Sequence, residues 1–311
     1  LRVLTWHVHG NYLFYLTQAP HEFFVVTDAA RSAGYSGLGG VLPWGPNAHE
    51  APLERLPQMQ FDCVLYQSRR NYKIDRMEQL SDAQRRLPAI YLEHDPPQEH
   101  PTNTRHIADD PLVMLVHVTH FNRLMWDSGR CPTRVIEHGV LLPRPAHYTG
   151  ELARGIAVVN HLGQRGRRLG ADVFEAARRE VPLDLVGMDS SRSGGLGEVP
   201  NDELPAFMSR YRFFFNPIRY TSLGLAVVEA MLVGLPVVAL ATTEMVTVVE
   251  NGVSGYLHTD PDRLAQAMRR LIEHPAEAHA LGQAARRAAA QRFDIARFAA
   301  DWDRVLHEVC G

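Results

Sequence analysis

Residues 212–258 read RFFFNPIRYTSLGLAVVEAMLVGLPVVALATTEMVTVVENGVSGYLH. The apolar triplet Phe213 to Phe215 predicts a short buried strand. A polar loop from Asn216 to Ser222 follows and ends at Gly224. The spacing then predicts a helix over Leu225–Val233 and a second buried strand over Pro236–Leu240. A strand, a loop, a helix and a second apolar strand in this order make a parallel βαβ unit, because parallel strands need a crossover and a helix is the usual one. Glu229 falls inside the helix among Val227, Val228, Ala230 and Met231. A carboxylate is costly to bury without a partner. Glu229 therefore faces either solvent or a polar ligand, and spacing alone leaves both open.

The same alternation runs outward from this stretch. Upstream, Ile156–Val159 and Leu183–Val186 read as strands, and Ala171–Glu180 and Glu203–Tyr211 as helices. The first half offers strands at Arg2–Val8, Phe23–Thr27, Asp62–Gln67, Ala89–Glu93, Leu112–Val118 and Arg134–Glu137. Its helices are expected at Tyr12–Gln18, Ile74–Arg86 and Phe121–Ser128. Residues 29–60 are crowded with Gly and Pro, which predicts either a binding loop or a βα unit that has lost its helix. Pro143, Pro145 and Gly150 mark a linker. From Pro261 onward the pattern is helical, with Ala284–Arg292 and Ile295–Val309 rich in good helix formers.

The expected fold is therefore α/β, with two doubly wound Rossmann-like domains facing a cleft and ligands at the carboxyl ends of the strands. The expected limits are 1–145 and 146–292. Residues 293–311 form a last helix that crosses back onto the first domain, as in the fold discussed below.

Composition narrows the function. The chain has 311 residues and a net charge of −3, so it has no basic field for nucleic acid. Cys63, Cys131 and Cys310 are distant and odd in number, which points to a reducing, cytoplasmic setting. No apolar run reaches the ~20 residues that span a bilayer, and the first residues have no basic stretch of a signal peptide. Ser68–Lys73 with Arg85 and Arg86 make a modest basic face, read as a solvated surface or as a peripheral membrane contact at the inner face.

Thr221 through Ala239, TSLGLAVVEAMLVGLPVVA, resembles the E-P-F-G-L-x-x-x-E-A-M-A-x-G-x-P-V-V-A segment of retaining glycosyltransferases of the glycosyltransferase-B fold, the group often called family four. Val249–Leu257 is similar to that family's v-e-x-G-x-x-G-x-l element. Gly197–Pro205, Asp184–Gly187 and Val135–Val140 are similar to three more of its segments. The likeness covers about residues 135–300 well and the first half loosely. Three positions depart from it. The first glutamate of the E-x7-E pair is Thr221, so sugar recognition here differs. Asn160-His161-Leu162 stands for the G-R-L element, and the following K-G is displaced into Gly166-Arg167-Arg168-Leu169-Gly170.

The resemblance implies a metal-independent hexosyl transfer. A nucleotide-diphosphate sugar of UDP or GDP type is the donor, and the acceptor is a glycan, a lipid-linked sugar or a small molecule. No cofactor beyond the donor is implied. Donor contacts would fall to Thr221, Ser222, Leu223, Gly224 and Leu225 at a helix start, where free N–H groups and the helix dipole favour phosphate. Gly187 would contribute at a strand end, and Glu229 would accept from the ribose hydroxyls. Arg167 or Arg168 would supply the missing phosphate charge. Gly10 and Asn11 correspond to a glycine-rich loop beside the phosphates, and His94 to a histidine near the reacting sugar. His7 and His9, expected on one side of a strand, lack a third metal ligand at convincing spacing. Asp260-Pro261-Asp262 and Asp301-Trp302-Asp303 look like D-x-D metal motifs but read as a helix start and a solvated helix face. Two other readings stay open: a non-catalytic sugar-nucleotide binder or partner subunit, for which Thr221 and His161 speak, and an epimerase using Glu93 and Asp95.

Overall fold

The computed structural model describes residues 1–40 and 42–311. The chain divides into two compact units, Leu1–Gly139 with Ile295–Gly311, and Val140–Asp294. The limits read from the sequence lie at 145 and 292.

In the first unit the strands are β1 (Arg2–Thr5), β2 (Glu22–Thr27), β3 (Ala48–Pro52), β4 (Cys63–Tyr66), β5 (Ala89–Glu93), β6 (Val113–His117) and β7 (Thr133–Val135). They form one sheet in the order β3-β2-β1-β4-β5-β6-β7, with every pairing parallel. Helices α1 (Gly10–Leu16), α2 (Arg76–Gln79) and α3 (His120–Met125) lie in its connections. Val3, Leu4, Val25, Leu65, Ile90, Leu115 and Val116 are fully buried. Such unbroken apolar strands are what a parallel sheet covered on both faces requires. The order reverses between β1 and β4, which makes that the switch point where ligands of such sheets bind.

Of three expectations for this unit, two need correction, and the stretch 29–60 fits the reading of a βα unit that has lost its helix. The helix over 74–86 is broken into a π-turn at Asn71–Asp75, α2, and a 3-10 turn at Gln84–Arg86. The Asn71 side-chain amide donates to Asp75 Oδ2 at 2.8 Å across the widened turn. The breaker-rich stretch 29–60 contains an edge strand, β3, joined to β2 by a crossover with no α-helix among its described residues. The sequence of β3, AHEAP, has no β-branched residue to announce it. His7 and His9 lie beyond the end of β1 and part company. His7 Nδ1 meets Gly37 O at 2.6 Å, whereas the His9 ring stacks edge-on to His94 at 4.2 Å.

The second unit has β8 (Leu152–Val158), β9 (Leu183–Val186), β10 (Tyr211–Asn216), β11 (Val237–Leu240) and β12 (Gly255–His258), in the order β12-β11-β10-β8-β9. Its helices are α4 (Leu162–Arg165), α5 (Ala171–Ala177), α6 (Leu204–Met208), α7 (Leu225–Val233), α8 (Met245–Val248), α9 (Pro261–Glu273) and α10 (Pro275–Arg292). Phe213, Phe214 and Phe215 are all buried, so β10 is covered on both faces, as a central strand must be. A Cβ on Gly155 in β8 would lie 2.2 Å from the Phe213 ring, so the glycine makes the room that ring occupies. The α7 helix ends at Gly234, whose φ of +102° is a glycine conformation. The order reverses between β8 and β10, which places the switch point of this unit beside the start of α7.

The final helix, α11 (Ile295–Cys310), belongs to the first unit. Phe298 and Trp302 are fully buried there. Gly139 admits Phe298, since a Cβ on it would sit 2.2 Å from the phenylalanine Cβ.

Candidate functional site

In the second unit the site grows from the join of β10 to α7. Asn216 ends the strand, Thr221 is half-buried, Ser222 and Leu223 are buried, and Gly224 and Leu225 open the helix half-exposed. No side chain caps α7, so its first N–H groups lack intrahelical acceptors. A Cβ built on Gly224 meets no atom within 4 Å, so the space before the helix is open. Glu229, one turn further in, is 5% exposed. Its burial removes the solvent-facing reading.

The two arginines separate. Arg167 and Arg219 both grip Asp172, with Arg219 Nη2 2.8 Å from Asp172 Oδ2, and Arg219 also donates to Arg167 O at 2.8 Å. The hydrogen bond from Arg219 holds the Asp172 carboxyl below its usual range, and the charge of Arg167 adds to the effect. Arg168 is half-buried and has no ion pair among the described residues. Its positive charge is felt by the Tyr220 hydroxyl in the β10–α7 loop. Its carbonyl accepts from the N–H groups of Arg219 and Tyr220 at 3.1 and 3.2 Å, which binds the 166–170 turn to that loop. Gly170 makes the approach possible. It has φ +79°, and a Cβ there would fall 1.9 Å from Pro217 O.

Gly187 ends β9 with φ +132°, and a Cβ on it would come 2.7 Å from Val159 O. It is needed for the strand ends to meet. His161, at φ +54°, precedes α4, with its ring 3.8 Å from Asp189. Thr221, Ser222, Leu223, Gly224, Leu225 and Glu229 thus run along one loop and helix, with the Arg168 turn bound to that loop. Arg167 is turned to Asp172.

In the first unit, Gly10 and Asn11 start α1. His94 follows β5, its Nε2 3.3 Å from Gln67 Oε1 and its ring 4.9 Å from Tyr12. Tyr12 also meets His138 at 5.7 Å and Phe298 at 5.5 Å. Burial pushes the His94 pKa well below the ordinary imidazole value, and the charges of His9 and His138 push the same way. His94 is neutral at physiological pH. Glu93 is committed elsewhere: its carboxylate meets His106 Nε2 at 3.1 Å and accepts from the Asp95 N–H at 2.9 Å. Asp95 shapes the turn, and its carbonyl accepts from Trp126 Nε1.

One feature of the first unit escaped the sequence reading. At the switch point, a cavity of about 200 Å³ is lined by His7, Val8, Tyr35, Ser68, Asn71 and Asp75, among others. The Asp75 side chain is 1% exposed and accepts from Tyr35 at 2.7 Å, Asn71 at 2.8 Å and Gln79 at 3.3 Å. Its only sequence signal was an acidic residue in a helical pattern, which reads as a surface group.

Residues 176–274 match the family model described as glycosyl transferases group 1. Over 204 residues the chain is 33% identical to alpha-maltose-1-phosphate synthase of Mycobacterium tuberculosis, covering 58% of this chain and 52% of that protein. Over 96 residues it is 40% identical to D-inositol 3-phosphate glycosyltransferase 1 of Catenulispora acidiphila, covering 28% of this chain and 23% of that protein. The chain thus spans about half or less of the length of these curated relatives. Among solved structures, Anabaena HepE in complex with UDP-glucose superposes with a TM-score of 0.73 at 16% identity, covering 99% of each chain. Sucrose-phosphate synthase from Thermosynechococcus elongatus superposes at 0.72 and 17% identity, covering 99% of this chain and 98% of that one. The chain's fold is the glycosyltransferase-B fold of these two structures. No helix among the described residues is long and apolar enough to cross a membrane.

Proposed function

We propose that this chain moves a sugar from a nucleotide-diphosphate sugar of UDP or GDP type to an acceptor hydroxyl, retaining the anomeric configuration and without a metal ion. The observation that carries the reading is the uncapped start of α7, open in front of Gly224, with Arg168 close by and without an ion pair among the described residues. Helix N–H groups and a guanidinium stabilise the charge that grows on the leaving diphosphate. Glu229 accepts from the ribose hydroxyls. In the transfer the bond from the anomeric carbon to the phosphate breaks and the bond to the acceptor oxygen forms on the same face. The acceptor's proton passes to the leaving phosphate, so no enzyme carboxylate need act as nucleophile. His94, kept neutral, serves as a hydrogen-bonding partner for a sugar hydroxyl. The cavity around Asp75 is the acceptor-side candidate. HepE is described in complex with UDP-glucose, which makes UDP-glucose the first donor to try.

Thr221 and His161 favour a second reading, a binder without turnover. The epimerase reading loses support because Glu93 is engaged with His106. A membrane contact through 68–73 also has little support, because Arg69 faces Glu99 and Arg70 faces Asp75. A panel of UDP-, GDP- and ADP-sugars with simple glycoside acceptors tests the proposal. Acceptor-dependent release of the nucleoside diphosphate, with a retained anomer in the product, is the expected result. Tight nucleotide binding with no release across the panel selects the binder.

A further inference from the structure

We propose that His21, Asp303 and His307 form a divalent-cation site, suited to Zn(II), that ties α11 to the amino end of β2. His21 lies in the turn before β2, and its side chain is 2% exposed. Asp303 and His307 stand at i and i+4 on α11 and so share a face. His21 Nε2 is 3.0 Å from Asp303 Oδ1, and His307 Nδ1 is 3.2 Å from the same oxygen. The three ligand atoms lie within 4.8 Å of one another. Tetrahedral zinc holds nitrogen and oxygen ligands at about 2.0–2.2 Å, so its ligand atoms stand roughly 3.3–3.6 Å apart. Small side-chain adjustments bring the cluster to that spacing.

A second observation points to a ligand. His21 Nε2 is buried and lies 3.0 Å from Asp303 Oδ1, poorly aligned for a hydrogen bond with it. A cation between the nitrogen and the carboxylate satisfies both. Metal at Nε2 places the ring proton on Nδ1, so the 3.3 Å hydrogen bond that Nδ1 accepts from the Leu1 nitrogen is given up. His307 gives up its 2.9 Å contact with Asp303 O to ligate. Two imidazoles and one carboxylate, with water in the fourth position, are a donor set that zinc accepts. The site is at the amino end of the sheet, away from His94 at the carboxyl end. Its role is therefore to hold α11, separate from sugar transfer.

The test uses the full chain, stripped with chelator and titrated with zinc. One equivalent is expected to bind at micromolar affinity or tighter, and at a hundredfold excess over Kd to raise Tm by about 5 °C. Asp303→Asn and His307→Ala, both at partly exposed positions, are expected to lose that equivalent with an unchanged circular dichroism spectrum. Should either variant misfold, Co(II) added to the unmodified chain decides, because a four-coordinate site gives intense visible bands. No zinc bound at micromolar concentration overturns the proposal. So does equal binding by folded variants, which would place the metal among the other histidines, or a Co(II) spectrum like that of the aqueous ion.

Discussion

Arg168 and Arg167 are neighbours with opposite prospects. Arg167 is 77% exposed and tied to Asp172, and an exposed pair of this kind contributes about 0–1 kcal/mol. Arg168 is expected to make charge-assisted bonds to phosphate, each about 1.5–3 kcal/mol. Arg168→Ala should therefore weaken UDP binding by roughly 10- to 100-fold, whereas Arg167→Ala should change it less than about threefold, both read by calorimetry. Equal losses would remove the distinction. A second residue-scale effect concerns His117 at the end of β6, whose pKa burial lowers to about 3, with the charges of His106 and Arg123 adding to the effect. The folded state then binds fewer protons than the unfolded state below the ordinary value of 6.5. Its contribution is complete above pH 6.5 and is lost as the pH falls toward 3, at about 1.4 kcal/mol per pH unit. Urea unfolding at pH 6.5 and 5.0 should show a loss of about 2 kcal/mol from this group, and His117→Asn should remove that share of the slope. A flat profile would contradict it. His94 acts with the same sign, because its pKa is also lowered.

Two glycines flank the same loop and separate folding from binding at the scale of the element. Gly170→Ala forces a Cβ into Pro217 O and strains a positive φ, so about 2–4 kcal/mol of stability should be lost. Gly224→Ala meets nothing and keeps an ordinary φ of −70°, so stability should move by less than about 0.5 kcal/mol. The added methyl stands where phosphate is expected, so UDP affinity should still fall. Unchanged affinity in the Gly224 variant would move the phosphate elsewhere. Element by element, legibility followed apolar continuity. Ala89–Glu93, Leu183–Val186 and Leu225–Val233 are read to the residue because their apolar runs and their turn residues agree. The edge strands β3 and β12 carry mixed, partly exposed residues, and no period-2 or continuous apolar signal marks them. The break at 71–86 has no Gly or Pro to mark it in the sequence. In the candidate site, the motif placed the loop and α7. It did not separate Arg167 from Arg168, because Asp172 and Arg219 make that choice through tertiary contacts.

At the scale of the whole molecule, two parallel sheets each reverse their strand order once, at β1/β4 and at β8/β10. Each reversal holds polar features: the Asp75 cavity in one unit and the start of α7 in the other. The two-unit division was legible because strand–helix alternation restarts after the proline-marked linker. The reason for Gly139 was not, since only the seating of Phe298 reveals it. The central claim is that the second unit binds a nucleotide-diphosphate sugar at the start of α7. Titration calorimetry of the full chain with UDP, GDP and UDP-glucose tests it most directly, run beside Gly224→Ala. One nucleotide bound per chain at submillimolar Kd, weakened at least about tenfold in the variant, is the predicted result. No heat of binding for any of them at millimolar concentration, or equal binding by the variant, would contradict it.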